Sequence, residues 1–256
     1  MSPERGEAAE VRVRPVLGVP EITDGDPLGA LIARQVGELV DGDVIVISQK
    51  VVSKAEGRTR KLSSVIPSAE ASKLARILGK EPNLVQLILE ESAEVVRAER
   101  GVLIVETRHG LVCANAGIDS SNVVGDGSVL LLPEDPDASA RRLRAEIGDR
   151  AGARIGVVIA DSFGRAWRIG QAEVAIGCAG LMPLDDWRGR QDVNGRELVA
   201  TQIAIADEAA AAADLVRDKT AAVPAVVVAG LGRWVTEEDG PGAAAIRRPR
   251  EDDLFR

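Results

Sequence analysis

A chain of 256 residues with 45% hydrophobic composition can close a substantial core as one large domain or two small ones without covalent staples. Its formal net charge of −8 argues against nucleic-acid binding, which needs a broad cationic face and the counterion release that goes with it. The single histidine, His109, leaves no second imidazole for a His-based metal centre, and the two distant cysteines, Cys113 and Cys178, suggest no zinc site, so any metal must be held by oxygen.

Val11 to Val16 alternates apolar and basic residues as a half-buried strand does. An amphipathic helix begins near Pro27, carries Leu28, Leu31, Ile32, Val36 and Leu39, and stops before Asp41-Gly42. Asp43 to Ser48 reads as a buried β-branched strand. The run Lys50 to Lys61 follows, with five cations against one carboxylate, and is either an anion site or a solvated basic loop. Ser68 caps a helix with Leu74, Ile77 and Leu78 on one face, ended by Gly79; Pro82 opens another that carries Leu84, Leu87, Ile88 and Val95. Val102 to Glu106 and Leu111 to Ala114 form a hairpin about His109-Gly110.

Asp135-Pro136 starts a helix through Ala140, Leu143 and Ile147, and Ile155 to Ala160 and Glu173 to Ile176 read as strands. Glu197 to Arg217 is the longest helical candidate, and Ala225 to Val228 closes the set. Alternating helices and strands together with a hairpin predict a mixed α/β (α+β) fold, with parallel and antiparallel strands and packed helices. The expected organisation is one globular domain over residues 1–236 and a linker-like tail over 237–256, where composition turns to Glu, Asp, Gly, Pro and Arg. No run approaches the roughly 20 apolar residues of a membrane span. The N-terminus lacks an apolar signal core, so the cytoplasm is the expected location.

Two segments concentrate oxygen-bearing side chains. Asn115-Ala-Gly-Ile-Asp119-Ser-Ser-Asn122 is a glycine-containing loop in which Asp119 and Asn122, three apart, either face one cleft or merely close an Asx turn. Asp161-Ser162 ends a buried strand, where open α/β sheets place ligands, although a surface-loop aspartate is the plain alternative. Gly164-Arg165, Arg168 and Gly170 either wrap an anion or bridge surface acids, and Trp167 and Trp187 either stack on a planar ring or fill the core. No Walker P-loop is present, and Gly240-Pro-Gly242 lacks the preceding strand of a dinucleotide fingerprint.

Taken in order, Val52-Ser-Lys54-Ala-Glu-Gly-Arg58, Asn115 to Val123, Asp161-Ser-Phe-Gly-Arg165 and Asp186-Trp-Arg-Gly-Arg190 followed by Gly195-Arg-Glu-Leu198 resemble the coenzyme F420-0:γ-glutamyl ligase family. The resemblance implies a GTP-dependent ligase, acting through an acyl phosphate, that attaches L-glutamate to the lactyl carboxylate of a deazaflavin precursor and then extends a γ-linked tail. It implies nucleotide contacts at Val19, Pro20, Glu21, Ile22, Gln49, Lys54, Asn122 and Lys219. Asp119, Asp161 and Ser162 are implied as ligands of two divalent cations, magnesium or manganese, and Asp119, Asp161 and Lys54 as catalytic. A monovalent potassium ion and a homodimer are implied as well. The segment Leu215 to Thr220 departs from many archaeal relatives, and Lys219 there either neutralises a phosphate or caps a helix end. The end Arg248 to Arg256 resembles the junction before a nitroreductase-like domain that this chain lacks, so no flavin reduction is expected. The competing expectations are a nucleotide- or coenzyme-binding module without turnover and an amide ligase for another acidic cofactor.

Overall fold

The computed structural model describes residues 10–120, 127–217 and 222–254. Its first half runs β1 (Arg12–Val16), α1 (Leu28–Gln35), β2 (Val44–Ser48), α2 (Gln49–Ala55), β3 (Thr59–Lys61), α3 (Ala69–Leu78), α4 (Pro82–Glu90), β4 (Ser92–Glu99), β5 (Val102–Thr107) and β6 (Val112–Ala114). The second runs β7 (Ser128–Leu130), α5 (Pro136–Ala151), β8 (Gly156–Arg165), β9 (Arg168–Ala179), β10 (Asp185–Asp186), β11 (Gln202–Ile203), α6 (Ile205–Asp214) and β12 (Ala225–Ala229).

The central sheet has the order β1-β12-β2-β8-β9, in which β2 and β8 are parallel and every other pair is antiparallel. This is the mixed α+β architecture that the alternation of elements with a hairpin predicts. Both faces are covered, which explains the unbroken β-branched runs. Ile45, Ile47, Val157 and Ile159 pack toward α1 and α5, while Val44, Val46, Val158 and Ala160 pack toward α6. A separate three-stranded sheet, β4-β5-β6, buries Leu103 and Val105 against α3 and α4.

Helix ends follow their capping chemistry. Ser68 accepts from Ala71 N and Gly79 takes φ +64° to end α3; Asp135 accepts from Ala138 N, with Pro136 in the first turn of α5. Four segments differ from their sequence-based reading. Part of the basic run is helix α2. Helix α4 stops at Glu90, and Val95 lies in β4, because the chain from Ser92 pairs with β5 rather than continuing the helical period. Residues 197–204 are not helical, since Gln202 and Ile203 pair with β10, so α6 is short and α5 is the longest helix among the described residues. Strand β8 continues to Arg165, which places Asp161 within a ladder rather than at its end.

The described part of the tail is docked. Asp137 on α5 accepts from the backbone N–H groups of Cys178 at 2.8 Å and Ala243 at 2.7 Å, and Ala243 is 1% exposed. Arg144 bonds Asp239 at 2.7 Å, and Arg247 donates to the His109 carbonyl. Arg250 pairs with Glu94 at 2.7 Å on β4. No helix among the described residues is long and apolar enough to cross a membrane.

Both cysteines are buried and free. Burial, reinforced by Asp161 beside Cys113 and Asp137 beside Cys178, pushes each thiol up to about 12. Because the thiolate is the reactive form, native protein at about pH 8 should take up almost no iodoacetamide, whereas both thiols should label in denaturant. Mass spectrometry of the alkylated chain reads this out, and rapid native labelling of Cys113 would contradict it.

Candidate active site

Parallel β1 and β2 end at one edge of the central sheet, where β12 begins; Ser48 N donates to Pro224 O there at 2.8 Å. A cleft of about 1210 Å³ lies along this edge, between the sheet and the β5-β6 hairpin with the loop that follows it. Open α/β sheets place ligands outside the carboxyl ends of their strands for this reason, since loops diverge there and helix starts face the opening.

Helix α2 follows β2 without a linker, so Lys50 and Lys54, one helical turn apart, both line the cleft. Lys54 pairs with Glu21 at 2.6 Å, and Lys50 pairs with Asp119. Asp119 is fixed through its backbone, whose N–H donates to Leu130 O at 3.0 Å and whose carbonyl accepts from Leu130 N at 2.8 Å. The turn that delivers it is strained: Asn115 at φ 53° and Ala116 at φ 55° are left-handed without being glycine, at a cost of roughly 1–3 kcal/mol each. Gly117 continues the turn at φ +67°, where a Cβ would lie 2.8 Å from Leu132.

Asp161 and Ser162 come from β8, and the cross-strand partner of Ser162 is Glu173 on β9. Ser162 donates to Glu173 Oε1 at 2.6 Å, while Arg217, just beyond the end of α6, donates to Glu173 Oε2 at 3.1 Å and to Val46 O at 3.0 Å. The Asp161 carboxyl is pushed up to about 7, first by burial, then by Glu173 and more weakly by Asp119, against the opposing Ser162 amide and Lys50. Carboxylates that repel one another in a partly buried site are relieved by a cation.

The donor set fits a hard divalent ion that keeps part of its own coordination sphere. Asp119, Asp161 and Ser162 supply oxygens only, and among the described residues no three His, Cys, Asp or Glu side chains form a closed cluster. Magnesium and manganese bound by one or two carboxylates retain waters and take phosphate oxygens, unlike a caged structural ion.

Of the residues singled out in sequence, Val19, Pro20, Glu21, Ile22, Lys54, Asp119, Asp161 and Ser162 all line this cleft. Gln49 does not; it is 1% exposed and accepts from Ser53 Oγ at 3.0 Å. Asn122 and Lys219 lie outside the described residues. Arg165 borders the cleft but donates to Ile169 O at 3.0 Å, closing its own hairpin, while Trp167 is 81% exposed and Arg190 stacks on Trp187 at 5.0 Å. In the basic run, Lys50 and Lys54 serve the cleft, whereas Arg58 is structural, bonded to Glu91 at 2.8 Å and Leu132 O at 2.9 Å. Sequence reading missed Lys50, Glu173 and Arg217 as individual cleft residues. For Glu173 a signal existed: a lone carboxylate in the otherwise apolar stretch Ala172 to Ile176.

Residues 17–230 match the family model described as F420-0:Gamma-glutamyl ligase. Curated relatives named coenzyme F420:L-glutamate ligase include one from Methanothermobacter thermautotrophicus, 45% identical over 94% of this chain and 97% of that relative. Another, from Archaeoglobus fulgidus, is 45% identical over 96% of each chain, and one from Methanocaldococcus jannaschii is 43% identical over 90% of each. The match spans the loop of Asp119, the strand of Asp161 and the helix of Lys54 alike, and the chain belongs to the F420-0:γ-glutamyl ligase family.

Proposed function

We propose that this chain uses GTP to join L-glutamate to the lactyl carboxylate of F420-0, a deazaflavin coenzyme precursor, and then extends the product through γ-linked amides. The relatives carry the coenzyme and the amino acid in their names. The observation that supports this reading in the chain itself is the convergence of Asp119 and Asp161, from remote stretches, on one cleft that also holds Lys50 and Lys54.

A carboxylate does not form an amide near neutral pH unless it is activated. In the proposed sequence a lactyl carboxylate oxygen attacks the γ-phosphorus of GTP, the bond to the β-phosphate oxygen breaks, and GDP leaves behind an acyl phosphate. The amine of glutamate then attacks the acyl carbon, the bond to the phosphate oxygen breaks, and inorganic phosphate departs as the amine proton is lost to solvent. All the reactants are anionic, so Lys50 and Lys54 would lower the repulsion between them. A divalent cation held by Asp119, Asp161 and Ser162 would supply further charge neutralisation at the phosphates. Glu173 keeps the Ser162 proton turned toward itself, which leaves the hydroxyl lone pairs for that cation. No protein nucleophile is required, which suits a chain whose only histidine, His109, is bonded to Glu134 O.

Incubation with GTP, manganese, L-glutamate and F420-0, followed by mass spectrometry, should give products heavier by one or more glutamyl residues, with one GDP released per bond. GTP turnover without glutamylated product, or no turnover at all, would overturn the proposal.

A further inference from the structure

The antiparallel β4-β5-β6 sheet has one face in the core and one that should be polar. Strand β5 alternates accordingly, with Leu103 and Val105 each 0% exposed. The opposite face, which also carries Glu106 across from Val112, is nevertheless aliphatic where it lines the cleft. Val102 is 46% exposed and Val112 42%, and Ile104 stands directly across from Ala114 in the β5-β6 register. Val102, Ile104, Val112 and Ala114 line the same cleft as Asp119 and Asp161, so this is an internal wall of the site rather than a detached surface patch. Ile118 and Phe163 extend the apolar lining toward the acidic end.

The cleft is therefore divided into one wall of aliphatic surface, with Glu106 outside the lining and 3.8 Å from Arg250, and one end of lysines, carboxylates and a hydroxyl. We infer that the β5-β6 face is the subsite for the planar tricyclic ring of the acceptor, with the acceptor's acidic side chain directed to Lys50 and Lys54. Two adjacent strands present their side chains on a nearly flat surface, with strands about 4.8 Å apart, which suits a planar ring laid face-down. The acceptor brings the larger planar group, three fused rings against the two of guanine, and a ligand pocket is normally apolar with a few convergent polar groups. The inference rests on the ligase reading above and adds to it the residues that recognise the acceptor.

The test uses Val102→Ser, Val112→Ser and the double variant of the full chain. Both positions are more than two-fifths exposed, so the fold should survive, and unchanged melting checks this. Each substitution should raise the KM for F420-0 about tenfold and the double variant on the order of a hundredfold, with the KM values for GTP and glutamate unchanged. Direct titration of F420-0, followed through the fluorescence of its ring, should show the same weakening without GTP. A phospholactate acceptor lacking the ring should be used equally poorly by parent and variants. Parent activity with unaltered F420-0 KM and affinity in the double variant would overturn the subsite while leaving the ligase reading standing. A parent that forms no glutamylated product would overturn the ligase reading, and the titration would still decide whether this face holds the ring.

Discussion

Asp161→Asn should lower kcat/KM for glutamylation by on the order of a thousandfold or more, while the variant melts at the same temperature as the parent or higher. Asparagine preserves the shape of the side chain and removes the charge that a cation needs. The stability sign follows from the raised carboxyl: its folded value of about 7 exceeds the ordinary 3.8, so ionisation is disfavoured in the folded state. The resulting penalty on folding is absent below the ordinary value, grows as pH rises through about 7, and is complete above it. Without divalent ions, the variant's advantage in Tm should therefore be larger at about pH 8 than at about pH 4. Added manganese should raise the Tm of the parent by mass action and leave the variant nearly unmoved. Loss of several degrees in the variant at both pH values would make Asp161 a structural residue.

Asp137→Ala should cost about 4 kcal/mol of stability without touching the cleft, which makes it the largest expected effect on folding. The Asp137 carboxylate accepts from the N–H groups of Cys178, Ala243 and Ala244 and lies 3.8 Å from Arg247. Alanine would leave the buried N–H groups of Cys178 and Ala243 without partners and Arg247 without its nearby acid. Asp137→Asn, which keeps one accepting oxygen, should lose less. Urea unfolding gives the magnitude, and limited proteolysis should show earlier cleavage beyond Trp234 in the alanine variant. A parent-like midpoint for Asp137→Ala would show that the tail docks by other contacts.

Periodicity and end-caps made most of the fold legible in the sequence. Ser68, Gly79, Pro82 and Asp135 mark their helix ends because capping is local chemistry. The misread segments are those where distant pairing decides. Val95 continues an apolar spacing that began in α4, and only its partner strand β5 reveals that the chain has become extended. Likewise, alanine-rich composition favours helix over residues 197–217, yet β10 captures Gln202 and Ile203. In the site, Asp119 and Asp161 stood out because each follows an apolar residue and opens a run of oxygen-bearing side chains, Ser-Ser-Asn122 after one and Ser162 after the other. Lys50 was legible only as part of a basic run, since nothing local separates it from Arg58, which spends its charge on Glu91. Arg217 acquires its place from Glu173 and the Val46 carbonyl, both remote in sequence.

The docked tail joins two parts of the molecule that otherwise meet across the cleft. Asp239 and Ala243 hold it to α5 beside the central sheet, whereas Arg250 reaches Glu94 and Glu106 on the sheet that carries the aliphatic wall. It acts as a guy rope between them, fastened at Glu106, the residue directly across from Val112. A shortened chain ending at residue 236, where the change in composition suggests a boundary, would keep the lysines and carboxylates of the site but lose that tether to the sheet bearing its wall.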